Sequence, residues 1–65
     1  MKGEITQKTV DDSMNSAVEN GYTFVQFTSV EIAEDIAEYD SDFEGVDVSR
    51  FLPFVEDWKR RNPNL

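Results

Sequence analysis

Thr28-Ser29-Val30-Glu31-Ile32-Ala33-Glu34-Asp35-Ile36-Ala37-Glu38-Tyr39 is the stretch that decides the fold. Thr28 followed by Glu31 fits the capping-box pattern, a hydroxyl at the helix start and a carboxylate three residues on. At 100° per residue, Ile32, Ala33, Ile36, Ala37 and Tyr39 share one broad face, and Glu31, Glu34, Asp35 and Glu38 share the opposite one. A helix over 29–39 follows, with an apolar side for a core and an acidic side for solvent.

Upstream, Val10, Met14, Ala17 and Val18 recur at i, i+4, i+7 and i+8, the stripe of an amphipathic helix over 9–20. Thr9 is the expected cap and Thr6 the second candidate, and Asn20-Gly21 ends the helix. Tyr22-Thr23-Phe24-Val25-Gln26-Phe27 is rich in aromatic and β-branched residues and reads as a strand or extended connector. A lone strand leaves its backbone groups without a ladder, so residues 22–27 are expected to pair with residues 4–8, with a second copy, or with a target. Downstream, Phe51, Phe54, Val55 and Trp58 form the most hydrophobic stripe, on a helix over 49–61. Ser49 or Asp47 is its cap, Pro53 favouring Ser49 because proline is tolerated only in a first turn. Lys59, Arg60 and Arg61 end that helix where cations suit its dipole.

The expected architecture is a mostly α, small three-helix domain with a short extended segment, or α+β if residues 22–27 find a minor two-stranded pairing. The expected core is Val10, Met14, Ala17, Val18, Phe24, Val25, Phe27, Ile32, Ile36, Tyr39, Phe43, Phe51, Phe54, Val55 and Trp58. At 65 residues there is room for one domain and a thin stability margin. With no Cys and no His, disulfides and the usual zinc ligand sets are excluded. Five Phe, two Tyr and one Trp must supply the core, with or without a second copy of the chain.

Net charge separates the function classes. A formal charge of −8 argues against direct nucleic-acid binding, which needs Lys and Arg to displace phosphate counterions, and against anionic membranes. It suits a basic partner instead. No apolar run approaches the ~18 residues of a membrane span and nothing resembles a signal peptide, so a cytoplasmic location is the expectation.

The charge is concentrated. Residues 31–47 carry Glu31, Glu34, Asp35, Glu38, Asp40, Asp42, Glu44 and Asp47, eight of the 14 acidic residues, and no Lys or Arg. Asp40-Ser41-Asp42-Phe43-Glu44-Gly45 opens like a calcium-binding helix-loop-helix, with oxygen ligands at loop positions 1, 3 and 5 and Gly at 6. The match then fails, because position 8 is Asp47 and position 12, where the bidentate Glu belongs, is Phe51. No metal or other cofactor is expected. Catalysis is not expected either, because the carboxylates lie on a solvent face with no His, Cys or phosphate loop beside them.

Four carboxylates from Glu31 to Glu38 span ~10 Å at ~1.5 Å per residue. That is one charge per ~3.5 Å, close to the ~3.4 Å along one DNA strand. Like charges at these spacings cost a helix ~0.2–0.5 kcal/mol per pair. The expected function is therefore a non-enzymatic protein-binding domain that offers these eight carboxylates to a basic protein surface, as a nucleic-acid mimic would. The competing explanation is a solvated face that only keeps the chain soluble. The alternative function is an assembly subunit that dimerises through residues 22–27 or the aromatic face of helix 49–61. In type, and through no shared motif, a tiny, acidic, Cys-free chain of this kind resembles phage-encoded inhibitors of host or defence machinery, including anti-restriction and anti-CRISPR proteins.

Overall fold

Helix α1 spans Gln7–Glu19, capped by Thr6. The computed structural model describes residues 4–65. Thr6 Oγ1 accepts from Thr9 N and Thr9 Oγ1 accepts from Thr6 N, both at 3.3 Å. Thr9 is thus the third residue of the first turn and not the cap, and α1 begins two residues before the expected position. Ile5 and Val10 occupy the two positions where a hydrophobic staple forms, and both belong to the core cluster. The helix closes in a Schellman turn: Gly21 N donates to Val18 O at 2.9 Å and Tyr22 N to Ala17 O at 3.0 Å. Gly21 takes φ +91°, which that turn requires.

Residues 22–27 do not form a strand, and there is no sheet among the described residues. The Schellman turn redirects the chain, and Phe27 N folds back onto Phe24 O at 3.0 Å. Phe24 N donates to Leu65 O at 2.7 Å. Residues 4–8 offer no ladder, since Gln7 and Lys8 are already helical. The expected pairing is replaced by one side chain: Lys59 Nζ donates to Phe24 O at 3.1 Å and to Phe27 O at 2.7 Å.

Helix α2 spans Ser29–Tyr39 and has the expected reciprocal box, Glu31 N to Thr28 Oγ1 at 3.2 Å and Thr28 N to Glu31 Oε1 at 2.9 Å. Two short 3₁₀ turns follow, Ser41–Phe43 and Val48–Arg50, and then helix α3, Leu52–Arg61. The expected cap of α3 is corrected. Asp47 Oδ1 accepts from Ser49 N at 2.9 Å and so caps the separate 3₁₀ turn, with Ser49 Oγ donating to the same oxygen. α3 begins after Phe51 with no side-chain cap, and Pro53 sits in its first turn, where its missing N–H is not needed.

α3 packs against both α1 and α2, while α1 and α2 scarcely meet each other. The buried core is Val10, Met14, Phe24, Ile32, Ala33, Ile36, Phe43, Phe51, Val55 and Trp58. Phe24 meets Trp58 edge-on at 5.5 Å and Phe43 meets Phe51 at 4.9 Å. No polar side-chain atom is buried without a partner among the described residues: the Trp58 indole donates to Asn15 Oδ1 at 2.9 Å. Truncating Trp58 to Ala would cost ~3–5 kcal/mol, against roughly 3–10 kcal/mol for a chain of this size. Ala17, Val18, Phe27 and Phe54 line the core's edge. Two expected core residues lie outside it. Val25 is 56% exposed on the turn, and Tyr39, the last residue of α2, is 80% exposed at the rim of the space between α1 and α2. Ala33 takes a core place instead.

Candidate functional site

The eight acidic residues separate by what their oxygens already do. Glu31 is exposed, and its Oε1 is engaged in the capping box of α2. Asp47 is exposed and holds the 3₁₀ turn; the Ser49 amide and hydroxyl pull its carboxyl below the ordinary range, with nearby Arg50 adding to the effect. Asp40 is half-buried, accepting from Asp42 N at 3.0 Å and from the Ser13 hydroxyl of α1 at 2.7 Å. Asp35 is half-buried and accepts from the Tyr22 hydroxyl at 3.4 Å. Glu34, Glu38, Asp42 and Glu44 are exposed.

The loop does not extend the α2 stripe as one track, because Asp40 turns inward to α1 and Asp47 turns back onto its own backbone. The surface with unengaged carboxylates is narrower than the sequence suggests: Glu34 and Glu38, one turn apart on α2, and Asp42 beyond its end. None of them forms a hydrogen bond or ion pair with a described side chain. No group of three acidic side chains among the described residues converges as a metal site would require.

Of the described cations only Lys8 lies near this surface, in a cleft it shares with Asp12, Asp40 and Asp42. Lys8 pairs with Asp12 at 2.7 Å. Arg61 bridges Asp57 at 2.6 Å and Asp11 at 2.8 Å, tying α3 to α1, and Arg60 also pairs with Asp57. Lys59 donates to backbone carbonyls. Arg50 lies beside Asp47. Two members of the Lys59-Arg60-Arg61 cluster, read from sequence as a dipole effect, are thus also tertiary tethers, Lys59 and Arg61, while Arg60 pairs within α3.

Sequence reasoning missed the second feature, an open groove of about 480 Å³ on the side where α1 and α2 fail to meet. Ala17, Phe24 and Ile36 give it apolar lining, Tyr22, Asp35 and Tyr39 stand together beside them, and Ser13, Asp40 and Ser41 complete it. The Schellman turn builds part of this lining, since it carries Tyr22 back over Ala17. Partial burial, followed by the Asp35 carboxylate and the neighbouring Tyr39 phenol, raises the Tyr22 pKa. The sequence held one signal: a Gly at the end of α1 followed by an aromatic, the hydrophobic partner a Schellman turn places on the helix. The turn's consequence depends on α2, which no local pattern reveals.

No helix among the described residues is long and apolar enough to cross a membrane. Comparison with known proteins returns no match: no family model fits the chain, and no curated protein or solved structure is significantly similar to it.

Proposed function

We propose that the chain is a small non-enzymatic binding domain that presents the outer face of α2 and the start of the following loop to a basic protein surface. One observation carries the reading. Glu34 and Glu38 are exposed with no ion pair to a described cation, and Asp42 is exposed beside a cleft whose one described cation, Lys8, is paired with Asp12. A face that served only solubility could intersperse both signs and avoid the helix penalty of like charges at i, i+4. In the finer form of the proposal, the α2 carboxylates stand in for the phosphates of a nucleic-acid strand and block a basic cleft, as a phage-type inhibitor would. The two unengaged α2 carboxylates, Glu34 and Glu38, lie ~6 Å apart along the helix, about two ~3.4 Å phosphate steps of a nucleic-acid strand, which supports that form.

The test is retention of basic proteins from a cell lysate across a salt series, for the wild type and for the triple variant Glu34→Lys, Glu38→Lys, Asp42→Lys. These sites are exposed, so a helical circular-dichroism spectrum should persist. The wild type should retain basic proteins at low salt and release them as salt rises, and the variant should retain none of them. Equal retention by both would sink the proposal.

The assembly reading keeps one surface. Phe51, just before α3, and Trp58 of α3 are buried inside the chain's own core, whereas Tyr22 and Val25 on the 22–27 turn are exposed. Sedimentation across protein concentration tests it: a dimer that Val25→Ser dissolves would support it, and a monomer at all concentrations would remove it.

A further inference from the structure

We infer that the groove between α1 and α2 is a seat for one side-chain pair of the basic partner: an apolar side chain against Ala17, Phe24 and Ile36 and an adjacent arginine at Tyr22, Asp35 and Tyr39. The inference rests on the proposed acidic-surface function and adds to it the place and chemistry of the contact.

Three observations fix the occupant. The lining by Ala17, Phe24 and Ile36 is apolar, and at about 480 Å³ the groove falls within the ~300–1,000 Å³ of ligand clefts. Its two carboxylates are Asp35 and Asp40, and no Lys or Arg among the described residues lines it. The two carboxylates differ in availability. Asp40 uses both oxygens internally, on Asp42 N and the Ser13 hydroxyl. Asp35 has Oδ2 in a long 3.4 Å contact with the Tyr22 hydroxyl, and Oδ1 makes no hydrogen bond to a described group.

An occupant must therefore be apolar where it meets that apolar lining and cationic where it meets Asp35. An acidic or neutral polar segment would bring either repulsion or an unmatched carboxylate. Arginine suits this place better than lysine, because its planar guanidinium can face Asp35 while lying against the Tyr22 and Tyr39 rings. Tyr39 is 80% exposed at the end of α2, so the face of its ring is open to an incoming guanidinium.

The experiment is an amide-resolved NMR titration of the full chain with three blocked dipeptides: acetyl-Phe-Arg-amide, acetyl-Phe-Glu-amide and acetyl-Gly-Arg-amide. The first should produce saturable shifts at Ala17, Tyr22, Ile36 and Tyr39. The second and third should each bind at least tenfold more weakly. Asp35→Asn should reduce the Arg-over-Glu preference to less than threefold with the fold intact, and Tyr39→Ala should weaken both Phe-containing peptides. Equal binding of the Arg and Glu peptides, or no saturable shift at the groove, would overturn the inference. So would shifts confined to Glu34 and Glu38, which would mean diffuse charge attraction. Groove shifts that appear on concentrating the protein alone would assign the groove to a second copy, and the inference would fall. Glu34, Glu38 and Asp42 do not line the groove, so the charge-reversal test of the proposed function and this titration fail independently.

Discussion

Lys59 Nζ lies 2.7 Å from the carbonyl oxygen of Phe27, across 32 residues of sequence, and 3.1 Å from that of Phe24. This ammonium, with the packing of Phe24 on Trp58, holds the 22–27 turn against α3. The turn's own backbone amides make three hydrogen bonds, Tyr22 N to Ala17 O, Phe24 N to Leu65 O and Phe27 N to Phe24 O. Without a ladder, its carbonyls need a donor from elsewhere. Lys59→Met keeps the apolar stem and removes the donor. A charged hydrogen bond contributes ~1.5–3 kcal/mol, and these carbonyls can turn partly to water, so the loss should be about 1–3 kcal/mol in urea unfolding. Amide shifts should concentrate at residues 24–28. A variant within ~0.3 kcal/mol of wild type would show that the turn stands without Lys59.

Gly21 should matter through its backbone alone. Its φ is +91°, and a Cβ added there would meet nothing within 4 Å. An L-residue in the left-handed region costs ~1–2 kcal/mol, and Asn tolerates it better than Ala. Gly21→Ala should therefore lose about 1–2 kcal/mol and Gly21→Asn less. Equal losses for both would point to a steric cause that the open surroundings do not contain.

The contrast between α2 and the segment before it shows what was legible in the sequence. Thr28, Glu31, Ile32 and Ile36 act within one helix, so cap, periodicity and buried face could be read from spacing. Tyr22 to Phe27 have the composition of a strand, but strand propensity is realised only where a ladder partner exists. What replaces the ladder is Lys59 and Leu65, both more than 30 residues away, which no local pattern reports. The same limit applied at Asp47. Ser49 is the cap that Pro53 favours and Asp47 the alternative, yet the Asp47 carboxylate closes a separate 3₁₀ turn with Ser49 as its partner, and α3 starts uncapped. The acidic residues were found by composition, and their division into engaged and unengaged groups required Ser13, Tyr22 and the local backbone. The groove was not legible, because it exists only where α1 and α2 diverge.

Glu38→Lys should stabilise the protein. It removes like-charge neighbours at Glu34 (i, i+4) and Asp35 (i, i+3), creates a favourable Glu34→Lys pair, and puts a cation in the last turn of α2, which has no basic residue. Together these amount to about 0.5–1.5 kcal/mol at low ionic strength. The gain should shrink in 0.5 M salt, where screening lengths fall well below ~10 Å. Urea midpoints at low and high salt check this. A loss of stability would mean that Glu38 makes a structural contact. A gain accompanied by weaker capture of basic proteins is the trade-off expected if the face is functional.

Asp57 should govern part of the acid response. Hydrogen bonds from Arg61 and then Arg60 hold its carboxyl below the usual carboxylate range. A folded pKa below the unfolded value means that its contribution to stability is fully present above the unfolded pKa, about 4, and is lost as pH falls through the folded one. Asp47, held by Ser49, has the same sign. The wild type should therefore lose stability on acidification below about pH 4. Asp57→Asn should be less stable at pH 7 and show a shallower decline over that window. NMR titration of the carboxyl carbon in Arg61→Met should move the Asp57 midpoint upward. Arg61 also reaches Asp11 on α1 at 2.8 Å, so this variant should loosen the α1–α3 contact as well. An unchanged Asp57 midpoint in Arg61→Met would show that the pair does not persist in solution.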